Sequence, residues 1–251
     1  MNGTTIHRLD NFAVEAAQLF ARHCDAMIRQ RLGRSDRSRI HVALTGGSAA
    51  RELYRGLAQP EILAGFDASM IEFYQGDERP VAPSSPDSNW GMASATFLDP
   101  AGVPEEHRHR MHGESADLDA AAREYETLLR ERLPLEDSLP IFDLVLLGMG
   151  PDGHIASLFP DTAALAETSR LVVANWVPKL NSHRLTVTYP VVNAARSIWL
   201  IVTGAEKAET VRRAIEQHDS TLPVSHITPA AGQLVWLLDQ AAASTLSPAS
   251  R

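Results

Sequence analysis

The chain has 251 residues, 44% of them hydrophobic, which suits one large α/β domain or two small ones. A formal net charge of -8 argues against a protein that binds duplex nucleic acid, because such proteins need a surplus of basic residues to contact phosphates. The single cysteine, Cys24, excludes an intrachain disulfide and a thiolate metal cluster.

Predicted helices and predicted strands alternate along the chain. A helix over 11–32, capped by Asp10 and ended by Gly33, carries one apolar stripe, and Cys24 falls on this stripe as a buried thiol. After it we predict a strand over 39–44, a helix over 49–58, a strand over 70–75, a helix from Ser88 to about Leu98 and a helix from Ala116 to Arg132. The rest of the chain gives strands over 141–148, 170–176, 184–190 and 197–204, a helix from Ala205 to Glu216, a strand over 233–239 and a short C-terminal helix.

This alternation indicates the fold class. It predicts a single α/β domain over 1–251, with a Rossmann-like, doubly wound, largely parallel sheet and helices on both faces. We expect the tail, from about 244 to 251, to be frayed. The amino terminus has no apolar run typical of a signal peptide, and no apolar stretch reaches about 18 residues, so we expect a soluble cytoplasmic protein.

In an open parallel sheet, ligands bind beyond the carboxyl ends of the strands, and the first such loop reads "TGGS". Gly46 and Gly47 let backbone N–H groups converge, Thr45 and Ser48 add hydroxyl groups, and the next helix offers its positive N-terminal end. A tight strand-to-helix turn with a serine cap is the alternative interpretation. Lys207 lies in the first turn of another predicted helix, where its charge opposes the helix dipole unless an anion lies between them. The two features together favour a phosphate site.

The loop "GMGPDGH" (148–154) raises the possibility of a nucleotide site, because its glycines match G-x-G-x-x-G after a strand. A dinucleotide site needs a long helix after the last glycine, and Pro160 would break such a helix. The nucleotide alternative therefore fails. What remains is a turn that presents Asp152 and His154, in which the carboxylate can fix the histidine tautomer for general-base catalysis. A simple surface histidine is the other interpretation.

Basic side chains near these loops are few. Arg79 follows two acids, one of them Asp77, at the predicted binding edge, where a guanidinium can serve as a forked oxyanion donor. Arg184 opens a predicted strand and can reach the same crevice. The chain has only two lysines, Lys179 and Lys207, and in a chain rich in arginine a lysine can mark a position that needs a compact ammonium group.

Together these segments resemble the 6-phosphogluconolactonases, a family within a wider group that includes glucosamine-6-phosphate deaminases and ribose-5-phosphate isomerases. The resemblance runs over nearly the whole chain, through "ALTGGS", "GDERPV" with "DSN", "DLVLLGMGPDGHIASLFP", "RLTVTYPVVNAA", "VTGAEKAETV" and "LPVSHI". The central motif is long and specific, and the weaker ones occur in the expected order. One departure is "GGSAA", which lacks the Thr-Pro that often follows this loop in relatives.

The resemblance implies the roles of the candidate residues. His154 is expected to be the general base that activates water, Asp152 its supporting carboxylate, and Arg79 an active-site contact to the lactone. The predicted substrate- and phosphate-binding residues are Thr45, Gly46, Gly47, Ser48, Asp77, Gly150, Arg184 and Lys207.

The implied reaction is hydrolysis of the ester in a phosphorylated sugar lactone, 6-phosphoglucono-1,5-lactone. A lactone carbonyl is already electrophilic, so this reaction needs no metal, cofactor or covalent nucleophile, and no histidines fall in ligand spacing. We expect a monomer with no nucleic-acid, membrane or obligate protein partner.

Three other functions stay open at this point, and one of them is a ribose-phosphate isomerase from the same wider group. The deaminases share the glycine turn, the aspartate and the histidine, but they typically carry a glutamate just before the proline, where this chain has Phe159. A non-catalytic sugar-phosphate sensor is the third candidate. Such sensors usually carry a DNA-binding segment, and no helix-turn-helix precedes residue 40.

Overall fold

A computed structural model describes residues 4–36, 38–65 and 67–248. The strands are β1 (Thr4–Leu9), β2 (Ile40–Leu44), β3 (Ile71–Gln75), β4 (Asp77–Glu78), β5 (Arg108–His109), β6 (Leu135–Glu136), β7 (Leu139–Pro140), β8 (Leu144–Gly148), β9 (Val172–Val177), β10 (Ser182–Val187), β11 (Ser197–Val202) and β12 (Gln233–Asp239). The α-helices are α1 (Phe12–Gly33), α2 (Ser48–Leu57), α3 (Pro60–Leu63), α4 (Asn89–Ala93), α5 (Leu118–Arg132), α6 (Tyr189–Asn193) and α7 (Ala208–Ile215). None of the helices in these ranges is long and apolar enough to span a membrane.

The main sheet has seven strands in the order β1-β12-β11-β8-β2-β3-β5, and every neighbouring pair is parallel. Side chains alternate between its two faces. In β8, Leu144 and Leu146 belong to the core that packs on α1 and α2, whereas Val145 and Leu147 belong to the core that packs on α5, α6 and α7. Apolar runs of this kind are typical of parallel strands that are buried on both faces. The predicted α/β fold with a largely parallel sheet is confirmed.

The segments predicted as strands over 170–176 and 184–190 do not join the main sheet. They form the antiparallel hairpin β9–β10, which turns at Asn181 in the left-handed conformation with φ of 45°. A third, two-residue strand, β4, pairs with β10 and places Asp77 opposite Thr186. This small sheet holds the loop after β3 beside the hairpin.

Near the amino terminus, the structure differs from expectation in two ways. The cap of α1 is Asn11, whose side chain accepts a hydrogen bond from the backbone N–H of Val14 at 3.4 Å, whereas Asp10 accepts one from Gln240 at 2.9 Å. The predicted cap was therefore wrong by one residue. Strand β1 was not predicted, because "TTIHRL" is mostly polar and only Leu9 is buried, and it becomes a strand only by pairing with β12.

Near the carboxyl terminus, residues 240–247 form turns and no helix. Leu246 is buried, and the hydroxyl group of Thr245 donates to the carbonyl of Ala208 at 2.8 Å. Thr245 and Leu246, which belong to the tail predicted to be frayed, therefore contact the rest of the domain. Residues 249–251 of the predicted tail lie outside the described residues.

The order of strands reverses between β2 and β8. From β2 the chain moves outward to β3 and β5, and from β8 it moves outward the other way to β11 and β12. Ligands in open α/β sheets bind at such a switch point, beyond the carboxyl ends of the strands. Thr45 follows β2 and Gly148 ends β8, and the backbone N–H of Gly148 donates to Oγ1 of Thr45 at 3.3 Å. The two glycine-rich loops therefore meet at this crevice.

Candidate active site

The "TGGS" turn opens the N-terminus of α2 toward the crevice. Gly47 precedes the helix with φ of +95°, a left-handed conformation that favours glycine, and no side chain caps the helix. A Cβ on Gly46 would lie 1.8 Å from Oδ1 of Asn89, so this position also requires glycine. The first turn of α2 holds no acidic residue. Its backbone N–H groups and the helix dipole are therefore available to an anion.

A cavity of about 260 Å³ lies between this turn and the glycine motif. Most of the predicted site residues line it, namely Thr45, Gly46, Gly47, Ser48, Asp77, Arg79, Gly150, His154 and Lys207. Asn89, which had no predicted role, lines it as well. The loops after β2, β3, β8 and β11 therefore come together as the sequence predicted.

The motif "GMGPDGH" folds into a tight turn that supports its histidine. The backbone N–H of Gly150 donates to the carbonyl of His154 at 2.9 Å, and Gly153 adopts a left-handed φ of +78°. A Cβ on Gly150 would lie 2.1 Å from the imidazole, so only glycine leaves room for the ring. Nδ1 of His154 lies 2.5 Å from Oδ1 of Asp152. This contact fixes the ring orientation and leaves Nε2 as the nitrogen without a carboxylate partner.

Lys179 completes this arrangement from the hairpin β9–β10. Its ammonium group donates to Oδ2 of Asp152 at 2.9 Å, while the other oxygen contacts His154. Burial alone would raise the pKa of Asp152, but the hydrogen bonds from Lys179 and His154 outweigh it and lower this pKa to about 2. Asp152 is therefore an anion over the physiological pH range and can stabilise a protonated imidazole.

Phe159 packs against the imidazole ring of His154. Its ring stacks on His154 with centroids 3.9 Å apart and planes inclined by 20°. Position 159 is therefore in direct contact with the imidazole. The residue that distinguishes this chain from the deaminase pattern lies at the candidate base itself.

The loop after β3 is held by Glu78. This buried carboxylate accepts hydrogen bonds from five groups, which are the backbone N–H of Arg79, Asn89 and Trp90, the hydroxyl of Ser88 and the amide of Gln75. Such a network fixes the start of α4 and the position of the neighbouring Arg79. Glu78 therefore has a structural role next to the cavity.

Asp77 lies on the floor of the site. Its carboxylate is buried and accepts a hydrogen bond from the hydroxyl of Ser157 at 2.8 Å. Burial raises the pKa of this carboxyl group, and the charge of Arg79 opposes the rise. Asp77 therefore contributes a buried carboxyl group to the wall of the cavity.

Arg184 does not line the cavity of the "TGGS" turn. It lines an adjoining cavity of about 320 Å³, together with Lys179 and Phe159. The two cavities share five lining residues, which are Asp77, Arg79, Pro151, His154 and Ala156. Lys207 and Arg184 therefore line two adjoining cavities, and His154 lines both.

The site has an excess of positive charge. In the described part of the chain, Arg79, Arg184 and Lys207 make no ion pair with a carboxylate, although two of them donate to backbone carbonyls. Burial lowers the pKa of Arg184, and the nearby charge of Arg79 lowers it further. Two guanidinium groups close enough to repel each other favour an anionic ligand between them. Within the described ranges, no three His, Cys, Asp or Glu side chains are grouped to hold a metal ion.

Comparison with known proteins identifies the family. A family model described as glucosamine-6-phosphate isomerases/6-phosphogluconolactonase matches residues 8–236. The chain is 39% identical over 217 residues to a 6-phosphogluconolactonase of Synechocystis, covering 85% of this chain and 88% of that protein. It is 37% identical over 215 residues to a human 6-phosphogluconolactonase, covering 84% and 82%. A solved 6-phosphogluconolactonase of Leishmania guyanensis superposes with a TM-score of 0.84 at 27% identity, over 98% of this chain and 99% of that one. The chain belongs to the glucosamine-6-phosphate isomerase/6-phosphogluconolactonase family.

Proposed function

We propose that this protein is a 6-phosphogluconolactonase, which hydrolyses 6-phospho-D-glucono-1,5-lactone to 6-phospho-D-gluconate in the oxidative pentose phosphate pathway. The observation that carries the proposal is the contact of His154 with Asp152 at a cavity that also holds an uncapped helix N-terminus and Lys207. A base beside an anion site suits a phosphorylated substrate that is attacked by water. The names of the similar proteins support the same activity.

In the proposed mechanism, His154 acts as the general base. Because Nδ1 contacts Asp152, the imidazole carries its free electron pair on Nε2, which takes a proton from water as the water attacks the lactone carbonyl. The resulting imidazolium is stabilised by the Asp152 carboxylate. It then donates its proton to the ring oxygen when the bond between that oxygen and the carbonyl carbon breaks.

Negative charge develops on the carbonyl oxygen during the attack. Arg79 lines both cavities next to His154, so its guanidinium is the proposed electrostatic partner of this oxygen. Its side chain is held by a hydrogen bond to the carbonyl of Asp87. A donor that is already fixed before the reaction needs little rearrangement in the transition state.

The phosphate group is proposed to bind at the "TGGS" turn. The N–H groups at the start of α2 and the ammonium group of Lys207 face the same cavity and suit a dianion. Arg184, which lines the adjoining cavity, is proposed to complete the binding of the anion. Asp77 is proposed to accept a hydrogen bond from a sugar hydroxyl.

Deaminase activity on glucosamine 6-phosphate is the second candidate that the family allows. Ring opening and proton shuttling in the resembling deaminases rely on a glutamate at the position of Phe159. Here an aromatic ring lies 3.9 Å from the imidazole at that position, and it can neither donate nor accept the proton. This contact favours the lactonase.

One assay tests the proposal directly. Fresh 6-phosphogluconolactone is mixed with the purified protein, and its disappearance is followed with the spontaneous rate subtracted. We expect rapid hydrolysis that is lost in His154→Ala. A rate equal to the spontaneous one, in protein that is shown to be folded, would refute the lactonase activity.

A further inference from the structure

A second cavity lies at the opposite edge of the main sheet, where β2, β8, β11 and β12 begin. Its volume is about 780 Å³, within the range of roughly 300–1,000 Å³ that small-molecule sites occupy. It shares no lining residue with either cavity of the candidate active site. We refer to it as the amino-end cavity.

The walls of the amino-end cavity are basic. Four arginines line it against two aspartates, in a chain whose formal net charge is -8. The arginines are Arg31, Arg34, Arg132 and Arg196, and the aspartates are Asp36 and Asp143. The charge of the cavity wall is therefore positive, whereas the net charge of the whole protein is negative.

Part of this charge has a structural explanation. Arg31 and Arg132 lie in the last turns of α1 and α5, where a cation complements the helix dipole. This does not account for Arg196, which lies in the turn before β11 and faces the same cavity. Three separate segments of the chain therefore bring arginines to one wall of the cavity.

Asp143 holds two of these guanidinium groups in place. Its buried carboxylate lies 2.6 Å from Nη2 of Arg31 and 3.7 Å from Nε of Arg196, and it also accepts the backbone N–H of His41 at 2.8 Å. Glu136 also contacts Nη2 of Arg196 at 2.6 Å, so two carboxylates pair with these two guanidinium groups, and Nη1 of Arg196 keeps N–H groups that neither carboxylate uses. Arg132 makes no hydrogen bond or ion pair through its side chain with any residue in the described ranges.

His23, which also lines the amino-end cavity, has a ring nitrogen without a hydrogen-bond partner among the described residues. This nitrogen, Nε2, is buried, and the ring of His23 lies 5.0 Å from that of Trp199. Such an atom is uncommon, because buried polar atoms are nearly always paired.

We propose that the amino-end cavity binds a phosphorylated small molecule, whose phosphate group contacts Arg132 together with Arg31 and Arg196. Guanidinium groups form paired, charge-assisted hydrogen bonds with phosphate oxygens, and they suit this anion better than ammonium groups do. The volume of the cavity leaves room for an organic group as well as the phosphate. This site is independent of the proposed lactonase function, because it lies at the other end of the strands.

Trp199 offers a signal for the test. Its indole N–H donates to Oγ of Ser197 at 3.0 Å, and Ser197 lines the amino-end cavity. The titration follows the indole ¹H–¹⁵N resonance of Trp199, assigned with Trp199→Phe, as inorganic phosphate or glycerol 3-phosphate is added to the full chain. Sodium chloride at equal ionic strength is the reference.

We expect the Trp199 resonance to shift and saturate with both phosphates, with glycerol 3-phosphate binding at least as tightly as inorganic phosphate. Arg132→Ala should raise Kd by about tenfold or more, the loss expected for one charge-assisted hydrogen bond. Arg123→Ala, an exposed arginine on the same helix, should leave Kd unchanged. Lys207→Ala should also leave it unchanged, which separates this site from the phosphate site near His154.

Three outcomes would overturn the proposal. A shift that sodium chloride reproduces would mean ionic screening only, and an unchanged Kd in Arg132→Ala would remove the arginine wall from binding. If inorganic phosphate binds but glycerol 3-phosphate does not, the cavity does not accept a phosphate that carries an organic group.

Discussion

The ring of Phe159 lies face to face with the imidazole of His154, with centroids 3.9 Å apart. This contact has two chemical consequences. It places a group that cannot transfer protons where the resembling deaminases carry a carboxylate. It also supports the imidazolium that forms after proton abstraction, because the face of an aromatic ring attracts a cation.

From this contact we predict that the protein releases no ammonia from glucosamine 6-phosphate. The measurement is a coupled ammonia assay against a buffer control, with protein purified from a host that lacks its own deaminase. The same preparation should hydrolyse the lactone. Steady ammonia release that depends on the protein concentration would contradict the choice of lactonase over deaminase.

Removal of the base tests the centre of the mechanism. His154→Ala should lower kcat by roughly 10²–10⁴-fold, the usual contribution of a general base, and KM should change little. Asp152→Asn should lower kcat less, because it disturbs the orientation and charge of the base without deleting it. Steady-state kinetics with the spontaneous rate subtracted gives both values. Near-normal kcat in His154→Ala would assign the base to another residue.

Lys179 is predicted to act through Asp152. Lys179→Met should raise the pKa of Asp152 from about 2 toward its usual value of 3.8, because the largest opposing hydrogen bond is lost. The Lys179 side chain is 64% exposed, so the ion pair contributes at most about 1 kcal/mol and kcat should fall no more than about fivefold. The carboxyl ¹³C resonance of Asp152 reports the pKa. Lys179→Arg, which keeps the cation, is the matched control, and an unshifted resonance in Lys179→Met would contradict the prediction.

The phosphate site is tested by comparing two substrates. Lys207→Ala or Arg184→Ala should lower kcat/KM for the phosphorylated lactone by roughly 10–150-fold, since each removes a charge-assisted hydrogen bond worth about 1.5–3 kcal/mol. The wild type should hydrolyse the unphosphorylated lactone poorly, and neither substitution should change kcat/KM for this lactone by much. Equal losses on the two lactones would mean that these side chains support the fold or the chemistry and not the phosphate.

The stability of the fold in acid should depend on Glu72. The pKa of this carboxyl group is lowered from 4.5 to about 2, chiefly by the hydrogen bond with His109 and also by that of Tyr74, while burial opposes the change. A lowered pKa stabilises the folded state above pH 4.5, and this contribution disappears as the pH falls toward 2.

Glu72→Gln should therefore lose about 1–3 kcal/mol of unfolding free energy at pH 7, and the difference from wild type should shrink on acidification. Urea titrations at pH 7, 4 and 3 measure it. Glu124→Gln, at an exposed position on α5, is the control. A difference that stays constant across these pH values would show that the carboxyl charge is not the cause.

The parts of the site that the sequence predicted well are those formed by neighbouring residues. The contact between Asp152 and His154 spans two positions, and the glycines of the same motif make the turn possible. The seven residues 148–154 therefore determine how the histidine and the aspartate meet. The main strands were predictable for a similar reason. Buried parallel strands are continuous apolar runs that end in glycine-rich loops, and both signals are local.

The contacts that sequence reasoning missed connect distant segments. Lys179 reaches Asp152 across 27 positions, and only the hairpin β9–β10 brings it there. The one available signal was its rarity, because the chain has two lysines and both line the site. Arg184 was expected beside the "TGGS" turn, but its position on β10 directs it to the adjoining cavity. Such placements depend on how two sheets pack, which no short pattern records.

The pairing of β1 with β12 has a consequence for how the chain acquires its structure during synthesis. Thr4 lies opposite Leu234, so β1 can pair with β12 only after all the residues between the two strands have been synthesised. Until then, the edge of β11 that β12 later covers is open to other chains, and contacts between such distant residues form slowly. We expect the nascent chain to depend on holding chaperones late in translation, and nascent chains stalled before residue 233 to aggregate more readily than the completed protein.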